Sequence, residues 1–466
     1  MRFLINFGPE LYQFALICAI YAVSVLNKQS NRWIAWASFA GVLIAAFSLG
    51  REGMFLFNAY KIDALSQFFK LVIAAGFFIV ALNGKVLSTV DADKRVDYFL
   101  LLAVSAWGLM LLCSAAEMMT MVICLEISSY SLYALVPIRA GSKDAAEAGV
   151  KYILFGAAAS AFALMGYSFV LASTHTSYIS GIGGALSISN PMGLFGITLF
   201  LSSFFYKLAL FPFHFWCPDV YTGTGNETAA FIATLPKVGA MAALIRLVHA
   251  ASPNVSLTDT LAILAAVSIT FGNIAALVQS DVKRLLGYSS IAHAGYILIG
   301  LVAGTAAGLA ASAFYAMAYM VMNLTCFWVI CRMAPGGDNV SLDDLSGLHQ
   351  RAPWLAFVLA VGAFALVGLP PTVGFTGKLF LLTSAWGKGY DWLIIVAAVN
   401  TAFSIFYYLN LVRYAYTADM IQDKPIDMSV GAGSVAMILA ILVILLGSLP
   451  AFVYDLAFAA GKQFLP

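Results

Sequence analysis

Four lysines and one glutamate stand inside stretches of this chain that are otherwise almost wholly apolar: Lys70, Lys207, Lys237, Lys378 and Glu126. Burial weakens the hold of any lysine on its proton, and a neighbouring carboxylate restores it. A buried lysine whose carboxylate can approach or withdraw is therefore a proton donor with a switchable affinity. Arginine does not fit this role, because it stays protonated. The alternative is a fixed ion pair that only locks helices together. Each centred charge costs a membrane helix roughly 2.5–3.5 kcal/mol on insertion scales, so charges kept in such places point first to proton or ion movement.

The surrounding chain has to hold these groups in a membrane. Of 466 residues, 62% are hydrophobic and only 10% charged, and the mean hydropathy is +0.92. That balance excludes an ordinary soluble domain. A net charge of +2 carries neither a basic nucleic-acid footprint nor an acidic tail. Apolar runs of about twenty residues recur throughout, each able to cross a hydrocarbon core of about 30 Å. They predict an all-α polytopic membrane protein with fourteen spans: 11–26, 33–49, 64–82, 98–113, 118–136, 152–172, 194–216, 229–248, 260–278, 285–302, 306–330, 354–383, 392–412 and 435–452. The first span follows no secretory cleavage pattern and is expected to be retained.

Loop charges orient the spans. With the N-terminus outside, the inward loops carry Lys28, Arg32, Lys85, Lys94, Arg95, Arg139, Lys143, Lys151, Lys283, Arg284, Arg332, Arg351, Arg413 and Lys424. The outward segments carry only Arg2, Arg51, Lys61, Arg246, Lys388 and Lys462. This excess on one side is the positive-inside pattern and puts both termini outside.

Two spans look broken. The seventh holds Pro212 in mid-run, and the twelfth holds Gly368-Leu369-Pro370-Pro371. The twelfth run would measure about 45 Å as a straight helix, too long unless tilted or unwound. Carbonyls freed by a proline are tolerated at depth only where protein or water satisfies them. The breaks lie five spans apart, an odd number, so equivalent breaks would run in opposite directions, as in an inverted repeat. The segments expected are 1–97 (three helices), 98–250 (a five-helix repeat), 251–415 (its inverted copy) and 416–466 (a C-terminal helix).

On this scheme Glu126, Lys207 and Lys237 lie at similar depth. Lys378 falls beyond the second break, toward the outside, and reads either as a carrier or as a lysine snorkelling near a helix end. Lys70 lies near the start of its span and is expected to snorkel. His293 reads either as a relay between Lys237 and Lys378 or as a packing histidine. His214 is expected to satisfy carbonyls freed at the first break. Asp219 and Glu227 flank a Gly-rich turn at the inner surface and read either as proton-gathering groups or, as the blander account, as members of a solvated loop. The six cysteines lack CxxC spacing and read as small buried hydrophobes, with no iron–sulfur or zinc site.

Several stretches carry a family resemblance. Leu125-Glu126-Ile127-Ser128-Ser129, Tyr206-Lys207 running into Pro212-Phe213-His214-Phe215-Trp216, and Pro218-Asp219-Val220-Tyr221 resemble the antiporter-like subunits of respiratory complex I. So do Ser280-Asp281-Val282-Lys283-Arg284-Leu285 through His293, and Gly368-Leu369-Pro370-Pro371 with Gly377-Lys378. The resemblance covers roughly residues 95–415 and implies fourteen helices with inverted five-helix repeats and broken seventh and twelfth helices. It implies a Glu126–Lys207 pair, a central Lys237 and an outer Lys378 on a proton path, with His293 the least specific member. Length and Lys378 bring the resemblance nearest to the N-type branch. Flavin, iron–sulfur clusters and quinone are then expected in partner subunits and no cofactor in this chain. Other membrane-arm subunits, the further antiporter-like ones included, would be its partners in a bacterial inner membrane. The same fold serves multisubunit cation/proton antiporters and membrane-bound hydrogenases, which remain the alternative.

Overall fold

The computed structural model describes residues 6–26, 31–84, 87–139, 142–183, 190–251, 255–417, 426 and 429–462. Arg2, Lys28, Lys85 and Lys424 of the loop-charge pattern lie outside the described residues.

The chain begins with α1 (Gly8–Val25), α2 (Arg32–Phe47) and α3 (Ala64–Asn83). A short antiparallel hairpin, β1 (Gly53–Phe55) with β2 (Tyr60–Ile62), joins the last two. Nothing in the apolar pattern had suggested this hairpin, because the strands are only three residues long. Next come α4 (Arg95–Ser114), α5 (Met118–Leu135) and α6 (Lys143–Thr174). The seventh apolar run forms α7 (Pro191–Phe200) and α8 (Ser202–Leu208), then an irregular stretch, then α9 (Trp216–Gly223). It is followed by α10 (Asn226–Ala251), α11 (Val255–Leu277), α12 (Val282–Val302) and α13 (Ala306–Met333). The twelfth run is split into α14 (Pro353–Val367) and α15 (Val373–Ala385). The chain closes with α16 (Asp391–Tyr416), α17 (Val430–Ser448) and α18 (Ala451–Lys462).

Among the described residues twelve helical stretches are long and apolar enough to cross a membrane, with α2, α14 and α15 as shorter apolar helices. Polar residues start many of them. Asp63 and Ser66 form a reciprocal capping box on α3, Glu117 accepts from two amides of α5, and Asp281 caps α12. α6 starts nine residues before its apolar run, because Ser142 caps it and its first turns are polar. The last run ends early: α17 stops at Ser448, Pro450 follows, and α18 is a separate helix.

Burial sorts the bundle into centre and rim. The spans of α10 and α13 are wholly buried and that of α12 is 94% buried, whereas α1 and α6 are 28% buried. The rim helices show Trp36, Phe155, Ile395 and Phe406 outward, as helices facing lipid or neighbouring chains do. Five of the cysteines are buried, and Cys18 on rim helix α1 is exposed.

Small residues let helices touch backbone to backbone. A Cβ on Gly108 of α4 would lie 2.8 Å from the Ser128 amide and 2.9 Å from the Cys124 carbonyl of α5. A Cβ on Gly272 of α11 would lie 2.6 Å from the Ala292 amide and 2.7 Å from the Tyr288 carbonyl of α12. The same one-turn footprint thus recurs 164 residues further along (272 against 108, 292 against 128). In this register Glu126 corresponds to Ser290. α4 packs on α5 and α10, and α11 packs correspondingly on α12 and α16.

Candidate functional site

Both breaks begin with a left-handed residue, Ala209 after α8 (φ 60°) and Gly368 after α14 (φ 91°). Each contains a cis X–Pro bond, at Pro212 and at Pro371. Turning out of the helix strands carbonyls that would otherwise accept the next turn's amides. In this apolar interior those oxygens need donors.

Lysines supply them. Lys237, on wholly buried α10, donates to the Leu208 carbonyl at 3.0 Å. Lys378, six residues into α15, donates to the Val367 carbonyl at 2.8 Å and the Leu366 carbonyl at 3.3 Å. It is 6% exposed, so it does not snorkel. The Trp216 indole takes the Tyr206 carbonyl at 2.9 Å. His214 takes no part. Its Nδ1 has no hydrogen-bond partner among the described residues, and its ring packs against Phe211, Phe215 and Phe271. The expectation for His214 is thereby corrected: the longer lysine reaches the carbonyls and the imidazole does not.

Lys207 lies near the end of α8 inside a cage of tyrosines. Its Nζ stands 5.4 Å from the ring centre of Tyr152, 5.7 Å from Tyr206 and 5.8 Å from Tyr133. The Tyr152 hydroxyl is 3.4 Å away. Aromatic faces stabilise a cation without pairing it to an anion. Glu126, on α5, is half-buried and accepts a short hydrogen bond from Ser160 of α6. Among the described residues no ion pair joins Glu126 to Lys207. The carboxylate turns to the serine while the ammonium rests among the rings.

Ser290 ties the centre together. Its hydroxyl meets the Lys237 ammonium in a short contact, and it lies 2.9 Å from the Tyr319 hydroxyl and 3.1 Å from that of Tyr221. One turn on, His293 Nδ1 meets the Tyr315 hydroxyl at 2.8 Å and Nε2 that of Tyr408 at 3.1 Å. Both ring nitrogens are engaged by groups that accept or donate, so the ring is both packed and connected. Lys378 stands 4.6 Å from the centre of the Tyr296 ring. A row of polar groups thus runs through the apolar core from Glu126 past Lys207, Lys237 and His293 to Lys378. The tyrosines and serines of this row carry no charge and so do not stand out in an apolar sequence as the lysines do. The pairs Ser289-Ser290 and Tyr407-Tyr408 were the available signal.

Lys70 corrects another expectation. It is wholly buried and forms a short ion pair with Glu10 of α1. The Tyr60 hydroxyl donates to the same carboxylate oxygen at 2.5 Å. Lys70 points inward because Glu10 and the hairpin lie there. Nearby, Arg246 makes a bidentate pair with Asp63 at 2.6 and 2.8 Å and donates to the Cys113 carbonyl.

Asp219 and Glu227 are not loop groups in water. Asp219 bridges Lys151 of α6 at 2.7 Å and Arg284 of α12 at 2.8 Å. Burial pushes its carboxyl up, but these two cations outweigh it and hold the group below the ordinary carboxylate value. Glu227 is buried. Among the described residues no three His, Cys, Asp or Glu side chains gather as a metal site would require.

Broken helices and a row of buried lysines define a class of ion-translocating, antiporter-like membrane subunits. Residues 115–404 match the family model described as NADH:quinone oxidoreductase/Mrp antiporter, TM, and the chain belongs to that family. A relative from Solidesulfovibrio magneticus, named NADH-quinone oxidoreductase subunit N 2, is 56% identical over 464 residues and the match covers 98% of each chain. One of the same name from Opitutus terrae is 42% identical, covering 98% of this chain and 97% of the relative. Among solved structures, a chain of respiratory complex I from Thermus thermophilus is 31% identical, with a TM-score of 0.85 over 96% of this chain and 98% of that one. A chain of the Mrp complex from Dietzia sp. has a TM-score of 0.86 at 18% identity, covering 98% and 97%, a likeness of fold alone.

Proposed function

We propose that this chain is the N-type proton-translocating membrane subunit of an NADH:quinone oxidoreductase. The family and the N-named relatives over nearly the whole chain support this. Flavin, iron–sulfur and quinone chemistry then belongs to partner subunits, and this chain carries no redox centre. Its partners are other membrane-arm subunits, the antiporter-like ones included. It crosses a bacterial inner membrane fourteen times, counting α2 and the broken α14–α15 pair with the twelve longer stretches, and both termini are outside. Spans four to eight (98–250) and nine to thirteen (251–415) form the inverted repeats. The repeated glycine footprint and the repeated packing partners support that division.

Protons follow the polar row. Glu126 sets the charge near Lys207 by swinging between Ser160 and the tyrosine cage. Lys207 passes a proton toward Lys237, and His293 with its tyrosines carries it to Lys378, which releases it outward. The observation that carries this reading is the attachment of Lys237 and Lys378 to carbonyls at the two breaks. Each lysine there is buried without a carboxylate partner among the described residues, so its charge is stabilised by dipoles and remains free to change. Quinone reduction supplies the energy as altered electrostatic contacts along the membrane arm.

The test is NADH-driven proton uptake by inverted membrane vesicles carrying Lys207→Ala, with assembly and quinone-reductase rate followed in the same preparation. Loss of both pumping and coupled electron transfer in an assembled complex is expected. Wild-type values of both would make Lys207 structural and remove it from the path.

A further inference from the structure

The row from Glu126 to Lys378 does not use the buried charges at the opposite end of α10. Glu227, in the first turn of that helix, is 3% exposed. Its Oε2, the Oδ1 of Asn226 and the Nε of Arg332 on α13 are buried with no hydrogen-bond partner among the described residues. Lys283 of α12 is wholly buried and donates to the Thr224 carbonyl at 2.9 Å. Arg332, Lys283 and Arg139 are the cations whose fields reach Glu227, and Tyr98 of α4 and Cys331 of α13 are the other titratable groups facing it. None of them forms an ion pair with it among the described residues. Buried polar atoms are ordinarily paired with protein or with ordered water. Three orphaned atoms, one of them the carboxylate's own oxygen, therefore mark a place for water.

The orphaned atoms continue toward Lys237. α10 and α13 lie antiparallel. At one end Asn226 donates to the Ala334 carbonyl at 2.8 Å, and midway along both helices Lys237 stands 5.7 Å from the Tyr319 ring centre. In this register Asn323 of α13 is level with Thr234 and Leu235, one turn short of Lys237. Its Oδ1 is also buried and has no hydrogen-bond partner among the described residues. Ten residues of helix, about 15 Å, separate Glu227 from Lys237, and Asn323 lies on the way.

We infer that Glu227 takes protons from the inner aqueous phase and passes them along water in the α10–α13 seam, past Asn323, to Lys237. The carboxylate binds one proton and gives it to the first water. Each water breaks one O–H bond as the next forms, and the neutral Lys237 amine takes the last proton. The strap 335–338 follows Ala334, to which Asn226 donates at this end of α10, and is held by Ser88 on the Pro335 carbonyl and by Arg139 on Gly336, Gly337 and Asp338. The inference rests on the proposed role of Lys237 and on the inward placement of this end.

In inverted vesicles the bath sets the pH at this face, so NADH-driven proton uptake is read against bath pH for Glu227→Gln, Glu227→Asp, Asn323→Leu and Lys237→Arg. The assembled Glu227→Gln complex is expected to lose uptake several-fold, with the deficit widening as pH rises and free protons become scarce. Asp at this position is expected to restore most of the rate. Asn323→Leu, which changes no charge, is expected to show the same pH-dependent deficit and decides the matter if Glu227→Gln prevents assembly. Wild-type uptake in both variants at every pH, or a deficit that neither tracks pH nor yields to Asp, overturns the relay. Normal pumping by Lys237→Arg would instead sink the role of Lys237 itself.

Discussion

Lys237 on α10 donates to the carbonyl oxygen of Leu208, the last residue of α8, at 3.0 Å. The lysine one span beyond the first break is thus also the donor that the break needs. At the second break the donor is Lys378, on the far half of the broken span itself, which donates to the Val367 carbonyl. The energetic consequence is direct. A buried carbonyl left without its donor costs about 1–3 kcal/mol. Removing either lysine therefore disturbs the fold as well as any proton path, and a loss of pumping after deletion alone does not separate the two.

Arginine separates them. Lys237→Arg keeps a donor for the Leu208 carbonyl but cannot release a proton. The expected outcome is a complex that assembles to near wild-type levels and does not pump. Lys237→Ala is expected to lower both assembly and pumping. Measured side by side by native gel and vesicle acidification, equal pumping by the arginine variant and wild type would remove proton release from the role of this lysine.

Gly374 tests the second break from its backbone side. A Cβ there would come within 1.7 Å of the Ala365 carbonyl oxygen and 2.8 Å of Met322 Sδ. The clash is with backbone in the last turn of α14, which cannot swing aside as the end of a flexible side chain can. Gly374→Ala is expected to destabilise the subunit by about 1–3 kcal/mol or more, as overpacking does. Thermal unfolding of the detergent-solubilised complex reads this. Gly431→Ala, whose Cβ would meet no atom of the described residues within 4 Å, is the matched control.

The helices were legible because a membrane helix announces itself by length and apolarity, and the breaks because proline and glycine are the residues that make them. Each apolar run came out as a helix or a broken set of helices. The partners of the charges were harder to read. Lys70 looked like a snorkelling lysine because its partner Glu10 lies sixty residues earlier, on a helix whose proximity no local pattern reveals. His214 looked like the natural donor for a break beside it, yet the donor came from Lys237, 29 residues beyond the Leu208 carbonyl it serves. Asp219 and Glu227 sit in polar sequence, and only the packing of α6, α12 and α13 around them pairs the first and buries the second. Tertiary neighbours decide what a buried charge does, and sequence spacing carries them poorly.

Asp219 gives a prediction about pH. Its carboxyl is held below the ordinary value by Lys151 and Arg284, against burial. A depressed pKa means that the folded form is favoured above the unfolded-state value and that this contribution fades as pH falls through the folded-state value. The clasp between α6, the α9 turn and α12 is thus intact throughout neutral pH and opens only in acid below the usual carboxylate range. Asp219→Asn is expected to lower thermal stability at pH 7 while bringing its own curve and the wild-type curve together at acid pH. A stability difference that grew toward acid would contradict the clasp.

The Glu10–Lys70 pair allows a cleaner energetic test, because it lies in the first three helices, outside the segment matched by the family model. Breaking a buried pair by removing one partner typically costs about 3–5 kcal/mol, since the remaining charge is left without compensation, whereas replacing both is often close to neutral. Glu10 also holds the Tyr60 hydroxyl, so its loss frees the hairpin as well. Lys70→Met alone is expected to be strongly destabilising, and Glu10→Gln somewhat less so, because the amide still accepts from Tyr60. The double variant is expected to regain most of the loss. Tm measurements on the four proteins of this cycle give the coupling directly, and pumping in the double variant gives its function. Near wild-type pumping there assigns the pair to packing of the N-terminal helices, and additive losses without recovery would mean that the two charges do not compensate each other.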